Sequence, residues 1–232
     1  MTGSSGGARP EIGSGTTRMV IARDNRARRE SSRSPRRSPP GRTRILRALR
    51  MLLAEKDFSA VTTAEIAREA GVTEALIYKY FKDKRDLLYQ VLAEYLEEFL
   101  VRAEMDLKGI EGAFNKLRKI IWSHINVYAT NRVFAKILLL EVRSYSDYYR
   151  SRPYEMVRQY SGIVRDVVRE GIESGEIRND ISAAMVEQCL LGCMEHVCMT
   201  GVVFDREFSP DELTEKLCKF IFAGLETSRG QA

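Results

Sequence analysis

From Arg42 to the C-terminus the apolar residues return every three or four positions, and no stretch alternates as a strand does. Only helices gather such a pattern onto one buried side. Ile45, Leu49 and Leu52 set the first stripe, with Leu46 and Leu53 beside it. Thr62 and Glu65 then form a capping box, flanked by Val61 and Ile66 as a hydrophobic staple. Gly71 closes that short element, where a left-handed backbone costs little. Thr73 caps the next helix, and Asp83 caps a fourth whose apolar positions run Leu87, Leu88, Val91, Leu92, Tyr95, Leu96 and Phe99. Further helices are predicted near 110–129, 132–148, 153–174, 180–203 and 210–227. Pro153, Gly175 and the run Ser209-Pro210-Asp211-Glu212 supply start and stop signals for them. With no hairpin turn and no repeat of fixed period, the chain is expected to be all-α, with about nine helices.

Residues 1–41 stand outside this pattern. They are rich in Gly, Ser, Thr, Pro and Arg and nearly devoid of large apolar side chains, so they cannot offset the entropy of ordering. Through residue 42 the chain holds 10 Arg against 3 acids, and the remainder holds 27 basic against 29 acidic residues. The net charge of +5 is thus a property of the tail, and it says little about what the body binds. A disordered basic tail is expected. It is either a solvated arm or one that adds non-specific DNA affinity by releasing counterions. A start of translation at Met19 is a third reading. The longest aliphatic run is Ile137–Leu140, far short of a bilayer span. All four Cys lie beyond residue 188, and the first residues lack the pattern of a secretory leader. A cytoplasmic location without a membrane partner is therefore expected.

Chemistry concentrates in residues 62–81, TTAEIAREAGVTEALIYKYF. Two capped helices of about eight residues, joined at Gly71, have the outline of a helix-turn-helix unit. Ile66, Ala67, Ala70, Ile77 and Phe81 should face inward. Glu74, Ala75, Tyr78, Lys79 and Lys82 then share the opposite face, a short polar surface suited to a major groove. Lys82-Asp83-Lys84-Arg85 adds a local positive excess. The bland reading is a pair of core helices without a ligand. Against it, Tyr78 and Tyr80 cannot both lie inward beside Ile77 and Phe81.

The stretch from Arg44 to Leu88, above all IAREAGV and IYKYFKDKRDLL, resembles the DNA-binding head of the TetR family of bacterial transcriptional regulators. About 45 residues carry the motif, and the rest of the chain matches only in helical pattern and length. Tyr80 departs from the family, standing where many members carry His. The resemblance implies a helix-turn-helix DNA-binding domain over 42–88, with a three-helix head, and a ligand-binding and dimerisation domain over 89–232. Carried over by residue, it implies phosphate contacts from Thr62, Thr73 and Lys84, and backbone contacts from Tyr78 and Tyr80. Arg42 and Arg44 would add further backbone contacts. Base reading would fall to Glu74, Ala75 and Lys79.

Family members usually dimerise through their last two helices. The segment 180–203 reads as apolar nearly all round, with Met185, Val186, Leu190, Leu191, Met194 and Val197, and with Gly192 and Gly201 allowing close approach. Burial in a homodimer or in a monomer's core would each explain it. Helices over 110–174 are expected to enclose an effector pocket, with Trp122, His124, Tyr128, Phe134, Tyr145 and Tyr148 as candidate lining. Ordinary core packing is the bland reading of each. The effector would be small and apolar, with an acyl-CoA-like molecule among the candidates. Cys189, Cys193 and His196 fall on one helical face, which opens an alternative of metal or redox sensing. Tight packing of small residues explains the same spacing.

The expected function is a ligand-responsive repressor released from a palindromic operator in double-stranded DNA. A helical adaptor that has lost DNA binding is the other non-catalytic reading. Enzyme motifs are missing: there is no nucleophile elbow, phosphate loop, dinucleotide fingerprint or HExxH, and only two His. No cofactor and no resident metal are called for.

Overall fold

Local capping decides where the helices of the N-terminal third begin and end. The structure, a computed structural model, describes residues 39–227 together with Met1 and Gly3; the tail expected over 1–41 lies almost wholly outside the described residues. Helix α1 (Pro40–Glu55) starts two residues earlier than the sequence boundary. It buries Ile45, Leu46, Ala48, Leu49 and Leu53. A 3-10 turn at Phe58–Ala60 leads into α2 (Thr63–Ala70). The Thr62 hydroxyl accepts from Glu65 N, and the Glu65 carboxylate accepts from Thr62 N, so the capping box forms in full. Lys56 also donates to Glu65 at 2.7 Å, and this bond, with those from Thr62, draws the Glu65 pKa down to about 2.

Gly71 ends α2 at φ 62°, ψ 45°, a region closed to most side chains. Helix α3 (Glu74–Tyr80) follows, with Thr73 accepting from Leu76 N at 3.3 Å. Asp83 caps α4 (Lys84–Asp106) by accepting from Asp86 N at 2.8 Å. Leu87 and Leu88 at its start are fully buried. The head is thus the front of α4 packed with α1, α2 and α3.

The body is built from the rest of α4, α5 (Ala113–Thr130), α6 (Arg132–Lys136), α7 (Arg152–Glu173), α8 (Ala183–Val203) and α9 (Pro210–Leu225). Helix α4 lies along α7, α7 also meets α5 and α8, and α5 carries α9 on its outer side. The Glu176 carboxylate accepts from Ala113 N at 3.0 Å and so caps α5 from across the bundle. Nine α-helices are present among the described residues, and their only extended pairing is one bridge between Ile177 and Glu226.

Two expectations need correction. The helix predicted over 132–148 is α6 alone, followed by a π turn at Ile137–Glu141, irregular chain and a 3-10 turn at Tyr148–Arg150. Ile137, Leu138 and Leu139 are all buried. Three successive buried side chains span about 200° of an α-helix at 100° per residue, which α4 also manages at Leu87–Tyr89. In the wider turn Val142 N reaches back five residues to Ile137 O at 3.2 Å. The second correction concerns Gly201 of α8, a helix whose apolar surface one chain covers only in part. That helix is sided within one chain, with Val186, Leu190, Met194, Cys198 and Val202 buried while Met185, Cys189, Gly192, His196 and Val197 are exposed. Gly201 serves an internal approach: a Cβ there would sit 2.3 Å from the Phe208 ring.

Candidate nucleic-acid interface and effector cavity

Helix α3 is too short to hold itself and depends on two anchors, Ile77 and Phe81, both buried in the head. With those residues inward, Glu74, Ala75, Tyr78 and Lys79 are exposed together, and Tyr78 shows 55 % of its surface. Thr62 and Thr73 cap the two helices from exposed positions. Arg44 is also exposed; its guanidinium lies 3.7 Å from where a Gly71 Cβ would be, which puts a cation beside the turn. Glu74 is engaged by Thr63, whose hydroxyl donates to it at 2.7 Å. Arg42 donates to Gln90 at 2.9 Å and lies over the Phe81 ring.

Tyr80 is half-buried and packs edge-on against Phe81, and its hydroxyl end lies beside Gly41 at the start of α1. Lys84 is engaged within the head. Its Nζ donates to Phe58 O at 2.9 Å and to Val61 O at 2.7 Å, and sits 4.4 Å from the Phe58 ring centre. Burial pulls its pKa below that of a free lysine. The ammonium staples α4 to the 3-10 turn from a half-buried position. Two of its three N–H groups go to these carbonyls, of which Phe58 O also accepts from Val61 N at 3.2 Å.

An open cleft of about 390 Å³ runs between α4 and α5 in the body. Trp122, Lys119 and Asn126 line it from α5, Phe134 from α6, and Tyr95, Phe99, Arg102 and Asp106 from α4. Trp122 donates through Nε1 to Asp211 on α9 at 2.6 Å. Behind Phe99 and Phe134 lies a much smaller inner cavity, about 30 Å³, lined by Leu96, His124, Tyr128, Leu138, Tyr160 and Glu195 among others. Four of the six residues predicted for a pocket therefore line one: Trp122, His124, Tyr128 and Phe134. Tyr145 and Tyr148 do not. Once the helix breaks at Glu141, they pack at the seam with the front of α4, Tyr145 under the Arg85 guanidinium at 4.0 Å and Tyr148 beside Tyr89.

The α4 wall was missed because the pocket was sought only over 110–174. Its signal was present in the sequence: Tyr95, Phe99, Arg102 and Asp106 recur at i, i+4, i+7 and i+11, mixing aromatic and charged side chains on one stripe. Cys189 is exposed, Cys193 half-buried and His196 exposed. Among the described residues no group of three or more His, Cys, Asp or Glu is placed to hold a metal. Cys198 is buried, and desolvation pushes its thiol up to about 12.

A capped two-helix reader with an exposed Tyr-Lys face, set on a helical body with an internal cavity, defines a DNA-binding regulator. Comparison with known proteins makes the class specific. The family model for bacterial regulatory proteins of the tetR family matches residues 45–91, and that for the YsiA-like protein C-terminal region matches residues 92–224. The chain belongs to the TetR family and is a DNA-binding transcriptional repressor, not an enzyme. The two family models meet inside α4.

The fatty acid metabolism regulator protein of Bacillus subtilis (strain 168) is 28 % identical over 186 residues, 80 % of this chain and 96 % of that protein. The crystal structure of transcriptional regulator FadR from Bacillus subtilis in complex with stearoyl-CoA superposes with TM-score 0.72 at 28 % identity, covering 78 % of this chain and 98 % of that one. The fatty acid degradation regulator FadR from Bacillus halodurans shares the fold, with TM-score 0.71 at 20 % identity over 81 % of this chain and 97 % of that one. No described helix is long and apolar enough to cross a membrane.

Proposed function

We propose that this regulator works as a homodimer that holds a palindromic operator until a long-chain acyl-CoA enters its body and releases it. The observation that carries the effector is the likeness, along most of both chains, to a regulator whose structure was solved with stearoyl-CoA. The cleft suits such a molecule. Phe99 and Phe134 offer an apolar floor toward the core, while Arg102 and Lys119 give cations to phosphate at the side. Lys119 lies over the Trp122 ring at 4.6 Å and 3.3 Å from Asp106, so an incoming phosphate would compete with Asp106 for it.

In the head, Lys79, Ala75 and Glu74 would meet base edges, with Tyr78, Thr62, Thr73, Arg44 and Arg42 on the phosphates. Tyr80 would approach a phosphate at the start of α1. Two heads would read half-sites about 34–36 Å apart, or a multiple of that. The dimer is supported by an uncovered stripe on α8 and α9. Met185 is 53 % and Phe220 76 % exposed, with Gly192 and Gly224 open to close approach beside them. Apolar exposure of this kind on the last two helices is ordinarily buried by a second copy.

A physical route joins cavity to head. Phe134 and Leu138 line the inner cavity, and the π turn continues to Glu141, whose carboxylate accepts from Phe58 N at 3.2 Å. Phe58 belongs to the turn that Lys84 staples. An effector that moves Phe134 and Leu138 would shift Glu141 and change how the head sits. The coupling is reciprocal, so operator and acyl-CoA must weaken each other's binding by one factor. The test is a gel-shift titration of DNA upstream of the regulator's own gene, with stearoyl-CoA added to the preformed complex. Retarded DNA should be freed as acyl-CoA rises. A complex indifferent to acyl-CoA, or no complex at all, would refute the reading.

A further inference from the structure

The inner cavity is unlike the bed of a plain hydrocarbon chain. Its walls are mostly Leu96, Phe99, Phe134 and Leu138, yet two of the most buried polar side chains in the protein also face it. His124 is 4 % exposed and Tyr128 1 %. The His124 Nδ1 stands 3.3 Å from the Tyr160 hydroxyl, and burial holds the ring neutral by drawing its pKa down to about 4. Its other nitrogen, Nε2, has no partner, and neither has the Tyr128 hydroxyl. The two rings lie 4.6 Å apart, centre to centre. A single unsatisfied buried polar atom is uncommon; two on neighbouring rings at one cavity are a stored cost that folding alone does not justify.

We infer that His124 Nε2 and the Tyr128 hydroxyl together recognise an oxygen atom in the part of the effector that passes Phe99 and Phe134 into the core. The chemistry limits what that oxygen is. A neutral imidazole whose Nδ1 accepts from Tyr160 presents Nε2–H as a donor; the other tautomer presents a bare nitrogen. A phenol both donates and accepts. The pair therefore fits a carbonyl oxygen, which takes two donors, or a hydroxyl, which satisfies either tautomer. On an acyl-CoA these are the thioester carbonyl and a hydroxyl on the acyl chain. A carboxylate is disfavoured, because the lining holds no cation of its own, and the nearby Arg143 is already paired with the lining Glu195 at 2.6 and 2.8 Å. The pair would thus act as the filter that separates acyl thioesters from other long apolar molecules. Chain length is sensed by the walls, and oxygen position by these two side chains.

This inference takes its choice of probes from the acyl-CoA reading. Affinities of the intact protein would be measured by calorimetry for stearoyl-CoA, for its 3-hydroxy derivative and for S-octadecyl-CoA, the thioether that lacks the carbonyl. The parent should favour an oxygen-bearing ligand over the thioether by roughly three- to tenfold, as one or two neutral hydrogen bonds provide. Preference for stearoyl-CoA over the thioether identifies the carbonyl. Preference for the 3-hydroxy compound alone identifies the chain hydroxyl. Tyr128→Phe should lose most of that preference while melting no lower than the parent, since the deleted hydroxyl has no bond to lose in the free protein. His124→Phe gives a second reading of the same preference. If both variants keep the parent's order of affinities, the inference is overturned and the acyl-CoA reading stands. If the parent binds none of the three, both fall together.

Discussion

Replacing Lys84 with Met separates two physical roles that the sequence could not tell apart. Methionine keeps most of the aliphatic stem, so packing over Phe58 is largely retained. What goes is the ammonium, and with it two charge-assisted bonds of 2.9 and 2.7 Å to Phe58 O and Val61 O. Bonds to a charged partner contribute about 1.5–3 kcal/mol each, and a cation over an aromatic face about 0.5–1 kcal/mol more. Relief of the ammonium's desolvation returns part of this, and water reaches part of the freed carbonyls. The expected net loss is about 2–3 kcal/mol, read as a lower midpoint in urea followed by circular dichroism. The second readout is the salt dependence of operator binding. A residue that neutralises a phosphate lowers the log–log slope by about 0.9 when removed. Lys84→Met should leave that slope unchanged, because the ammonium is engaged by Phe58 O and Val61 O. A slope reduced by nearly two units, about 0.9 for each head of the dimer, with unaltered stability would refute this placement and restore the phosphate role that the family resemblance implies.

Four more expectations follow from the geometry. Lys79→Ala should relax base preference at one position of each half-site by about 1–3 kcal/mol while sparing non-specific affinity, measured by gel shift across single-base operator variants. Phe220→Glu places a charge on the uncovered stripe of α9 and should shift the protein from dimer to monomer in sedimentation, with operator affinity falling alongside. His124 is neutral in the core with a pKa near 4, whereas in the unfolded chain it takes a proton near 6.5. Stability is therefore full above about pH 6.5 and is lost as pH falls toward 4, by roughly 2 kcal/mol between pH 7 and 4.5. His124→Phe should flatten that part of the urea-midpoint profile. Glu141→Ala removes the acceptor for Phe58 N and should weaken the release of operator by acyl-CoA while leaving acyl-CoA affinity for the free protein within about twofold, as read by gel shift and calorimetry.

The head was legible because its signals are local. Thr62, Thr73 and Asp83 each accept a bond from a backbone N–H three residues on, and Gly71 needs only its own φ to end a helix. Ile77 and Phe81 announce the inward side four residues apart. The bonds of Lys84 within the head were not legible because its partners lie 23 and 26 residues earlier, in a turn that propensity does not reveal. The segment 132–148 read as one helix, but its winding changes at Ile137 and ends at Glu141, and that leaves Tyr145 and Tyr148 away from the cavity. The α4 side of the cleft escaped because its stripe of Tyr95, Phe99, Arg102 and Asp106 lies outside 110–174, where the pocket was expected. The pairing of His124 with Tyr160 across two helices is likewise a tertiary fact.

Helix α4 runs unbroken from the Asp83 cap to Asp106, about 34 Å at the usual rise. One end is packed in the helix-turn-helix head and the other forms a wall of the cleft proposed for the effector. Stiffness lets such a beam carry a small tilt over its whole length, so a rotation of about 10° at the cleft end swings the far end by several ångströms. It also partitions heredity. On the proposed roles, substitutions at Tyr95, Phe99 or Arg102 would retune what the protein answers to without altering which sequence it occupies, and changes on α3 would do the reverse. A duplicated copy could thus acquire a new stimulus while keeping its old address in the genome.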